Sequence, residues 1–382
     1  MPELTEDELV ALIDKGEVGA ISLDTTAFDA ASCDLTKRSL VGMAQFPAIG
    51  IPFLITDMVA GEVVSHIARD AEEASQKLSV AISLVEKRWK IEGFSGGVSH
   101  LFDVNQSSAD FAKSTFEKYV AGVGATLVKA SDLLDADQLV ADYLNLKPPF
   151  ESKEEKKHEF PDAISLGELE AWGEKEGKLV LVVSRDGGWK RRSAASVHLI
   201  CVGSPFDAYA AFNRADAHVA LRFVDALTRG DNIGLSNSID GALERFADNT
   251  YPQVEASAAF HYDVEFEGLS FKSRDPDVGE AIVISSDDDS VTVAFRVTAT
   301  FEALASFTFL IRDEGEYFPV GDASVQRDVD VELTLTATIS RDEAEEIEVF
   351  DVDFEASRYL SIDFGTVEPD YEADAPDDET WD

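Results

Sequence analysis

The chain has 382 residues, 45% of them hydrophobic, which is enough for two globular domains with ordinary cores. Its 75 acidic and 32 basic side chains give a formal net charge of −43, so most of the surface should repel nucleic acid, and any contact with nucleic acid must be local. Two cysteines are too few for a disulfide framework. The polar, acidic start is unlike a signal peptide, and no apolar run reaches the roughly 18 residues of a membrane span. We therefore expect a cytoplasmic protein that makes no membrane contact.

The first part of the chain alternates apolar runs with amphipathic stretches. A helix is predicted to begin at Thr5, where Glu8 completes a capping box, and Thr56 suits the N-cap of a long second helix. Strands are predicted at residues 18–23, 51–55, 125–128, 179–183 and 197–202. Further helices are predicted at residues 57–89, 107–120, 135–144, 161–172, 216–228 and 235–247. Strands that alternate with helices indicate an α/β domain with a parallel sheet flanked by helices, which we assign to residues 1–250, the last two helices closing it.

The later part of the chain changes to a repeat of two. Apolar and polar residues alternate around residues 262–267, 291–300 and 331–339, as in antiparallel strands with one solvated face. The alternation changes phase between Val349 and Phe350, which predicts a β-bulge. This pattern favours an antiparallel all-β domain.

We assign this C-terminal all-β domain to residues 251–365. The residues that follow it, 366–382, are rich in acids and poor in apolar side chains, which predicts a disordered acidic tail. The sequence leaves three roles open for the β domain, namely substrate recognition, dimerisation and binding of a protein partner. It does not define the oligomeric state.

Four carboxylates follow apolar strands or stand near helix starts. Asp24 and Asp186 come just after predicted strands, and Glu62 and Asp162 stand near the N-termini of predicted helices. Ligands of open α/β sheets bind beyond the carboxyl ends of the strands, so we expect these acids to meet at one edge. Acids that converge repel one another, and a bound cation relieves that repulsion.

Carboxylates with water in the remaining positions suit Mg²⁺ or Mn²⁺. Such an ion lowers the pKa of a bound water and neutralises charge that develops on a phosphate. The four acids are therefore predicted as metal ligands and catalytic residues of a phosphodiester-cleaving site.

The order and local sequence of these acids resemble those of the PIN-domain nucleases. Residues 24–26 read Asp-Thr-Thr, which is similar to the family's first motif, Asp-Ser/Thr-Asn/Ser, and residues 184–186 read Ser-Arg-Asp, which is similar to its last, Thr/Ser-x-Asp. Glu62 and Asp162 match the second and third acids of the family. The stretch 156–164, Lys-Lys-His-Glu-Phe-Pro-Asp-Ala-Ile, resembles that of a large bacterial subgroup of PIN-like proteins.

The resemblance covers roughly residues 15–205 and implies an α/β metal-dependent ribonuclease that uses Mg²⁺ or Mn²⁺. Two departures from the family pattern stand out. Thr26 replaces the usual Asn, which is expected to change how Asp24 is oriented. The segment between Glu62 and Asp162 is longer than in minimal PIN domains and is expected to cap or narrow the cleft.

Basic side chains cluster near the predicted site in spite of the negative total charge. Phosphate contacts would neutralise substrate charge next to the metal. Candidates for this role are Lys156, Lys157, Arg185, Lys190, Arg191 and Arg192. His66, one helical turn after Glu62, is a candidate to contact a phosphate or orient Glu62, with a structural role as the alternative. Trp189 is interpreted as a core residue rather than as a base-stacking platform.

The sequence bears on three possible functions. The first is a metal-dependent endoribonuclease that cleaves single-stranded RNA, acting as a toxin or defence effector; DNA cleavage is a close relative that the sequence does not exclude. The second is a catalytically inactive PIN-like scaffold whose β domain binds a protein partner. The third, a haloacid-dehalogenase-type phosphatase, needs an Asp two residues after the nucleophile, and position 26 is Thr. The first is the leading hypothesis because all four acids are present.

Overall fold

The structure, a computed structural model, describes residues 5–90, 107–150, 159–230, 232–276, 278–279, 281–313, 316–341, 347–355 and 360–370. The chain divides into two compact units. One unit comprises Met1–His218 with Ile282–Asp287, and the other comprises Val219–Ala281 with Asp288–Asp382.

Strands and helices alternate along the first unit. Its strands are β1 (Val18–Leu23), β2 (Phe53–Thr56), β3 (Thr126–Val128), β4 (Leu179–Val183) and β5 (Leu199–Val202). Its helices are α1 (Glu6–Asp14), α2 (Thr25–Ala30), α3 (Arg38–Val41), α4 (Gln45–Ala48), α5 (Asp57–Trp89), α6 (Ser108–Val123), α7 (Ala130–Leu133), α8 (Ala136–Leu144), α9 (Phe160–Glu176), α10 (Gly187–Ala195) and α11 (Pro205–Phe212). Short 3-10 turns cover Gly42–Ala44 and Arg214–Asp216.

The five strands form one parallel sheet in the order β3-β2-β1-β4-β5. β1 lies at the centre, where Leu23 is in register with Val183 of β4. The carboxyl ends of β1 and β4 therefore lie side by side, and the residues that follow them share one edge of the sheet. The parallel sheet flanked by helices was predicted from the sequence and is confirmed.

One face of this sheet packs on α9 and α10. The strands contribute buried residues such as Ala20, Val180 and Val182, and α9 contributes Leu166 and Leu169. Trp189 of α10 is fully buried in the same cluster. Burial of each large apolar side chain stabilises the fold by about 1.5–3 kcal/mol. This packing fixes the starts of α9 and α10 at the carboxyl edge of the sheet.

Helix α5 begins with a side-chain cap, because the Thr56 hydroxyl accepts a hydrogen bond from the Val59 backbone N–H at 3.3 Å. Val59, Val63 and Ile67 are buried. The predicted apolar stripe continued to Ala71 and Ala74, but Ala71 is only half-buried and Ala74 is exposed. The buried residues of this long helix therefore lie in its first three turns.

The second unit contains two helices and an antiparallel sheet. The helices are α12 (Ala217–Arg229) and α13 (Ile233–Asn249). The strands that follow are β6 (Gln253–Ser257), β7 (His261–Arg274), β8 (Ile282–Ser286), which belongs to the first unit, β9 (Ser290–Asp313), β10 (Glu316–Ser340), β11 (Val349–Glu355) and β12 (Ser361–Thr366). The sheet order β11-β10-β9-β7 is antiparallel, which confirms the predicted all-β architecture. β6 and β12 form a separate parallel pair that was not predicted.

The helices expected to close the α/β domain pack elsewhere. In α13, the ring of Phe246 lies 5.4 Å from those of Phe301 and Phe354 in the antiparallel sheet. Arg274 of β7 donates to Asp240 of α13 at 2.8 Å. The compact units divide the chain at residue 218, whereas the sequence placed the boundary at 250. Amphipathic periodicity shows that a helix has a buried face, but not which sheet buries it.

The predicted bulge is present in the β10–β11 pair. Thr338 pairs with Asp351 and Ile339 pairs with Val349, so Phe350 is the extra residue of the bulged strand. Within the described ranges, every helix is too short or too polar to cross a bilayer. Most of the predicted tail, from residue 371 onward, lies outside the described residues.

Candidate active site

Two of the four predicted acids cap short helices at the carboxyl edge of the sheet. Asp24 follows β1 directly and is the N-cap of α2. Asp186 follows β4 after two residues and is the N-cap of α10. Asp162 lies in the first turn of α9, directly after Pro161, and Glu62 lies in the second turn of α5. Helix N-termini carry partial positive charge, which favours anionic groups at this edge.

The Asp24 carboxylate is buried and held by three hydrogen bonds. Its Oδ1 accepts from the Thr25 backbone N–H at 2.7 Å. Its Oδ2 accepts from the Thr26 and Ser184 hydroxyls, both at 2.7 Å. Thr26, which replaces the usual Asn of the PIN motif, therefore orients Asp24 through its hydroxyl. The same Thr26 oxygen accepts from the Arg185 backbone N–H at 3.4 Å.

Ser184 links the first acid to the last. Its hydroxyl donates to Asp24 and accepts from the Asp186 backbone N–H at 3.0 Å. Asp186 Oδ1 in turn accepts from the backbone N–H groups of Gly188 and Trp189. The turn after β4 is thus tied to the turn after β1.

Glu62 and Asp162 join the same network from their helices. Glu62 Oε2 accepts from the Thr25 hydroxyl at 2.7 Å, and Thr25 also donates its N–H to Asp24. Asp162 Oδ1 accepts from the indole Nε1 of Trp189 at 2.9 Å, and Trp189 donates its backbone N–H to Asp186. One hydrogen-bonded network therefore connects all four carboxylates.

The pKa values of two of these acids, Asp24 and Asp162, are raised. Burial raises the pKa of Asp24, and the Asp186 charge adds to the rise. Burial raises the pKa of Asp162 to about 6, and the charges of Asp24, Asp186 and Glu62 act in the same direction. A cation at this edge would offset that repulsion.

The donor set at this edge fits Mg²⁺ or Mn²⁺, since it consists of hard carboxylate oxygens. In Glu62, Asp162 and Asp186, one carboxylate oxygen accepts a hydrogen bond within the network. The other oxygen of each accepts no hydrogen bond from the described residues. The four acids do not form a tight cluster. Among the described residues, the set of three ligand atoms within 4.8 Å of one another comes from Asp29, Cys33 and His66 instead.

Basic side chains lie at the start of α10, close to Asp186. Arg185 and Lys190 are exposed, and so is Arg191. The guanidinium of Arg191 lies over the start of the helix, because a Cβ atom added to Gly187 would come within 3.0 Å of its Nη1.

Arg192, grouped with these basic residues on sequence grounds, has a structural role. It binds Glu170 and Asp142, and it donates to the Pro148 carbonyl at 3.3 Å. Lys156 and Lys157, the other two candidate phosphate contacts, lie outside the described residues.

His66 does not contact Glu62 by any hydrogen bond among the described residues. Its Nδ1 lies 2.8 Å from Asp29 Oδ1 instead. Trp189 is fully buried, so the interpretation as a core residue is confirmed, and its link to Asp162 was not predicted. This link has no sequence signal, because 27 residues separate the two side chains.

A second pair of acids was missed by the sequence reasoning. Glu168 of α9 is fully buried. Burial first, and the neighbouring Asp57 carboxyl second, raise the pKa of Glu168 to about 9. Glu168 is therefore protonated at neutral pH. A Glu within an amphipathic helix is normally solvated, so sequence alone gives no reason to place it in the core.

A family model described as a PIN domain matches residues 21–189. The matched segment contains the end of β1, strands β2 to β4 and all four acids of the network. No curated protein and no solved structure matches the chain. PIN domains are generally nucleases and typically use divalent metals. The match therefore supports assignment of this segment to the PIN-domain family, and with it a nuclease-type function in general.

Proposed function

We propose that the first unit is a metal-dependent endoribonuclease that cleaves phosphodiester bonds of single-stranded RNA. The observation that supports it best is the single hydrogen-bonded network that connects four carboxylates at the carboxyl edge of a parallel sheet. A structural role alone does not require four acids at one edge, since burial and the charges of the other three acids raise the pKa of Asp162. A divalent ion is the natural partner of such a group.

The metal ligands in this proposal are Asp24, Glu62, Asp162 and Asp186. A bound Mg²⁺ or Mn²⁺ would supply an activated water and neutralise charge that develops on the phosphate. The chain itself fixes the ligands. Thr26 and Ser184 hold Asp24, and the indole of Trp189 holds Asp162. Ligands held in this way need little reorganisation when substrate arrives.

The substrate is proposed to approach over the start of α10. Arg185, Lys190 and Arg191 are exposed there beside Asp186, and each can neutralise a phosphate. On a chain with a net charge of −43, such a local basic group is needed to offset the repulsion of the remaining surface. Single strands are proposed because a flexible backbone can bring a phosphate to this small basic group beside the acids.

The test is cleavage of end-labelled single-stranded RNA by the purified full chain, with a DNA strand of the same sequence in parallel. We expect cleavage with Mn²⁺ or Mg²⁺, none with a chelator, and a loss of at least about 100-fold in Asp24→Asn and Asp162→Asn, which remove a metal ligand charge. Retained cleavage in both variants would exclude the proposal. Cleavage of DNA alone would change the substrate class and leave the metal site in place.

A scaffold that binds a protein partner through the second unit is the alternative function. The observation in its favour is the end of the β9–β10 pair, where Ile311, Tyr317 and Phe318 are exposed. Neighbouring exposed apolar side chains are typical of surfaces that contact other proteins. Calorimetry separates the two functions. Micromolar Mn²⁺ binding that is lost in Asp24→Asn favours the nuclease, and absence of Mn²⁺ binding favours the scaffold.

The biological role that we propose for the nuclease is that of a toxin or defence effector. Induced expression in a bacterial host is expected to arrest growth, whereas expression of Asp24→Asn at the same level is not. Equal growth of the two cultures would exclude a toxic role without affecting the cleavage assay.

A further inference from the structure

Three side chains of metal-ligating types meet one helical turn away from the carboxylate network. Asp29 lies on α2, Cys33 in the turn that follows α2, and His66 on α5. His66 Nδ1 lies 2.8 Å from Asp29 Oδ1, and Cys33 Sγ donates to the same oxygen at 3.5 Å. All three candidate ligand atoms lie within 4.8 Å of one another.

An unusual backbone turn brings the thiol to this position. Ser32 and Cys33 have φ values of +57° and +53°, a left-handed conformation that side-chain-bearing residues seldom adopt and that costs free energy. The turn is closed by a hydrogen bond of 2.8 Å from the Cys33 N–H to the Phe28 carbonyl. The chain thereby folds back, and the thiol faces Asp29.

The chemistry of this group differs from that of the four acids. A thiolate, an imidazole and a carboxylate are the ligand types of tetrahedral zinc sites, whereas magnesium takes oxygen alone. Tetrahedral ligands of zinc lie about 3 to 4 Å apart, so the distances from Asp29 need only a small adjustment. The Cys33 side chain is nearly buried, while Asp29 and His66 are partly exposed, which gives an ion a path from solvent.

We infer that Asp29, Cys33 and His66 bind one transition-metal ion of the Zn²⁺ type, with the fourth position open to water. The ion would join α2 to α5. These two helices carry Thr25 and Glu62, one turn closer to the sheet edge, and the hydrogen bond between them lies in the carboxylate network. The ion therefore has a positioning role for that network. The inference does not depend on nuclease activity, because its test measures binding.

Cobalt is the spectroscopic probe for this site, because a Co²⁺–thiolate bond gives a near-ultraviolet charge-transfer band that an all-oxygen site cannot give. The metal-stripped full chain is titrated with Co²⁺. We expect the band to saturate at about one equivalent, to disappear on addition of Zn²⁺, and to persist in excess Mg²⁺. Absence of the band in the wild-type chain would overturn the inference.

Matched variants show which residues give rise to the band. Cys201→Ser, which removes the other cysteine, and Asp24→Asn, which alters the carboxylate network, are expected to keep it. Cys33→Ser is expected to lose it, and His66→Ala to weaken Co²⁺ binding by about tenfold or more. A band that survives Cys33→Ser, or that disappears in Cys201→Ser, would refute the assignment.

A second measurement uses the unaltered chain and so does not depend on variants that fold. A thiol-specific reagent is added with and without Zn²⁺, and the modified cysteine is identified by peptide mass. We expect Zn²⁺ to slow modification of Cys33 by about tenfold or more, with Cys201 unchanged, because a coordinated thiolate is a poor nucleophile. Equal rates for Cys33 with and without Zn²⁺ would contradict the site. RNA cleavage lost in Asp24→Asn with the cobalt band intact would separate the two sites.

Discussion

The indole N–H of Trp189 donates a hydrogen bond of 2.9 Å to Oδ1 of Asp162. The same residue is fully buried under the sheet, so a side chain of the hydrophobic core directly holds an acid of the candidate site. This bond lowers the pKa of Asp162, while burial and the neighbouring acids raise it to about 6. Protons and metal ions therefore compete for Asp162 in the range just below neutral pH.

Removal of the indole donor should shift that competition. In Trp189→Phe the pKa of Asp162 is expected to rise, because the bond that stabilises its charged form is lost. The apparent Mn²⁺ affinity increases as pH rises through the pKa of Asp162. The pH at which half of this increase has occurred should therefore be higher in the variant by about 0.5–1 unit. Calorimetric Mn²⁺ titration at several pH values measures this. Trp172→Phe is the control, since Trp172 packs on the same core cluster. An equal shift in both variants would contradict the prediction.

The Thr26 hydroxyl should contribute to activity through Asp24. In Thr26→Val the hydrogen bond to Asp24 Oδ2 is lost while the side-chain volume is kept, and a bond to a charged group contributes about 1.5–3 kcal/mol. We expect RNA cleavage, measured as kcat/KM, to fall by about tenfold or more. Thr36→Val is the matched control, because Thr36 makes the same type of bond to Asp34 at an exposed site. Unchanged cleavage in Thr26→Val would show that the bond does not matter.

Two adjacent arginines on α10 are expected to differ in role, Arg192 in stability and Arg191 in RNA binding. Arg192→Ala removes the guanidinium that joins Asp142 to Glu170. Lys147 still lies 2.9 Å from Asp142, so the expected loss is about 1.5–3 kcal/mol, as for hydrogen bonds to charged groups. Urea unfolding is expected to show this loss. Arg191→Ala is expected to change stability by less than about 0.5 kcal/mol and to raise KM for RNA. The reverse pattern would assign the phosphate contact to Arg192.

The buried Glu168 should make stability depend on pH. Its folded-state pKa of about 9 lies above the ordinary value of 4.5, so the folded chain binds the extra proton. The contribution is complete below pH 4.5 and is lost as pH rises towards 9, with a limiting slope of about 1.4 kcal/mol per pH unit. Urea unfolding from pH 5 to 9 should show a fall in the unfolding free energy that is smaller in Glu168→Gln.

The control for this experiment is Glu174→Gln, an exposed position on the same helix. It is expected to retain the pH dependence of the wild-type chain. If Glu168→Gln and the wild-type chain show the same dependence between pH 5 and 9, Glu168 is not the group that binds the proton.

Sequence reasoning succeeded where burial is continuous along the chain. The apolar runs of β1 and β4 have the predicted bounds, because a strand buried on both faces leaves an unbroken signal. It failed at α10, whose first residues, Gly187 and Gly188, are poor helix formers. That helix depends on the Asp186 cap and on burial of Trp189, neither of which can be weighed from local propensity.

The positions of the four acids at one sheet edge followed from general topology, but their connections did not. Thr25 reaches Glu62 and Trp189 reaches Asp162 across 37 and 27 residues, and such pairs have no local signal. The group of Asp29, Cys33 and His66 is of the same kind. The Cys33 thiol is buried, and its neighbours became visible only in three dimensions.

The capping roles of Asp24 and Asp186 decide how this site can be dissected by mutation. Each carboxylate accepts backbone N–H bonds at the start of a helix, so alanine at either position would remove a charge and unravel a turn together. Asparagine keeps an oxygen acceptor for those N–H groups, since Asn and Asp cap helices about equally well. At Asp24 it also replaces the oxygen that accepts from Thr26 and Ser184 by an NH2 group. At Glu62 and Asp162, which cap no helix, alanine should instead remove the carboxylate and its hydrogen bond to Thr25 or Trp189 without unravelling a helix start.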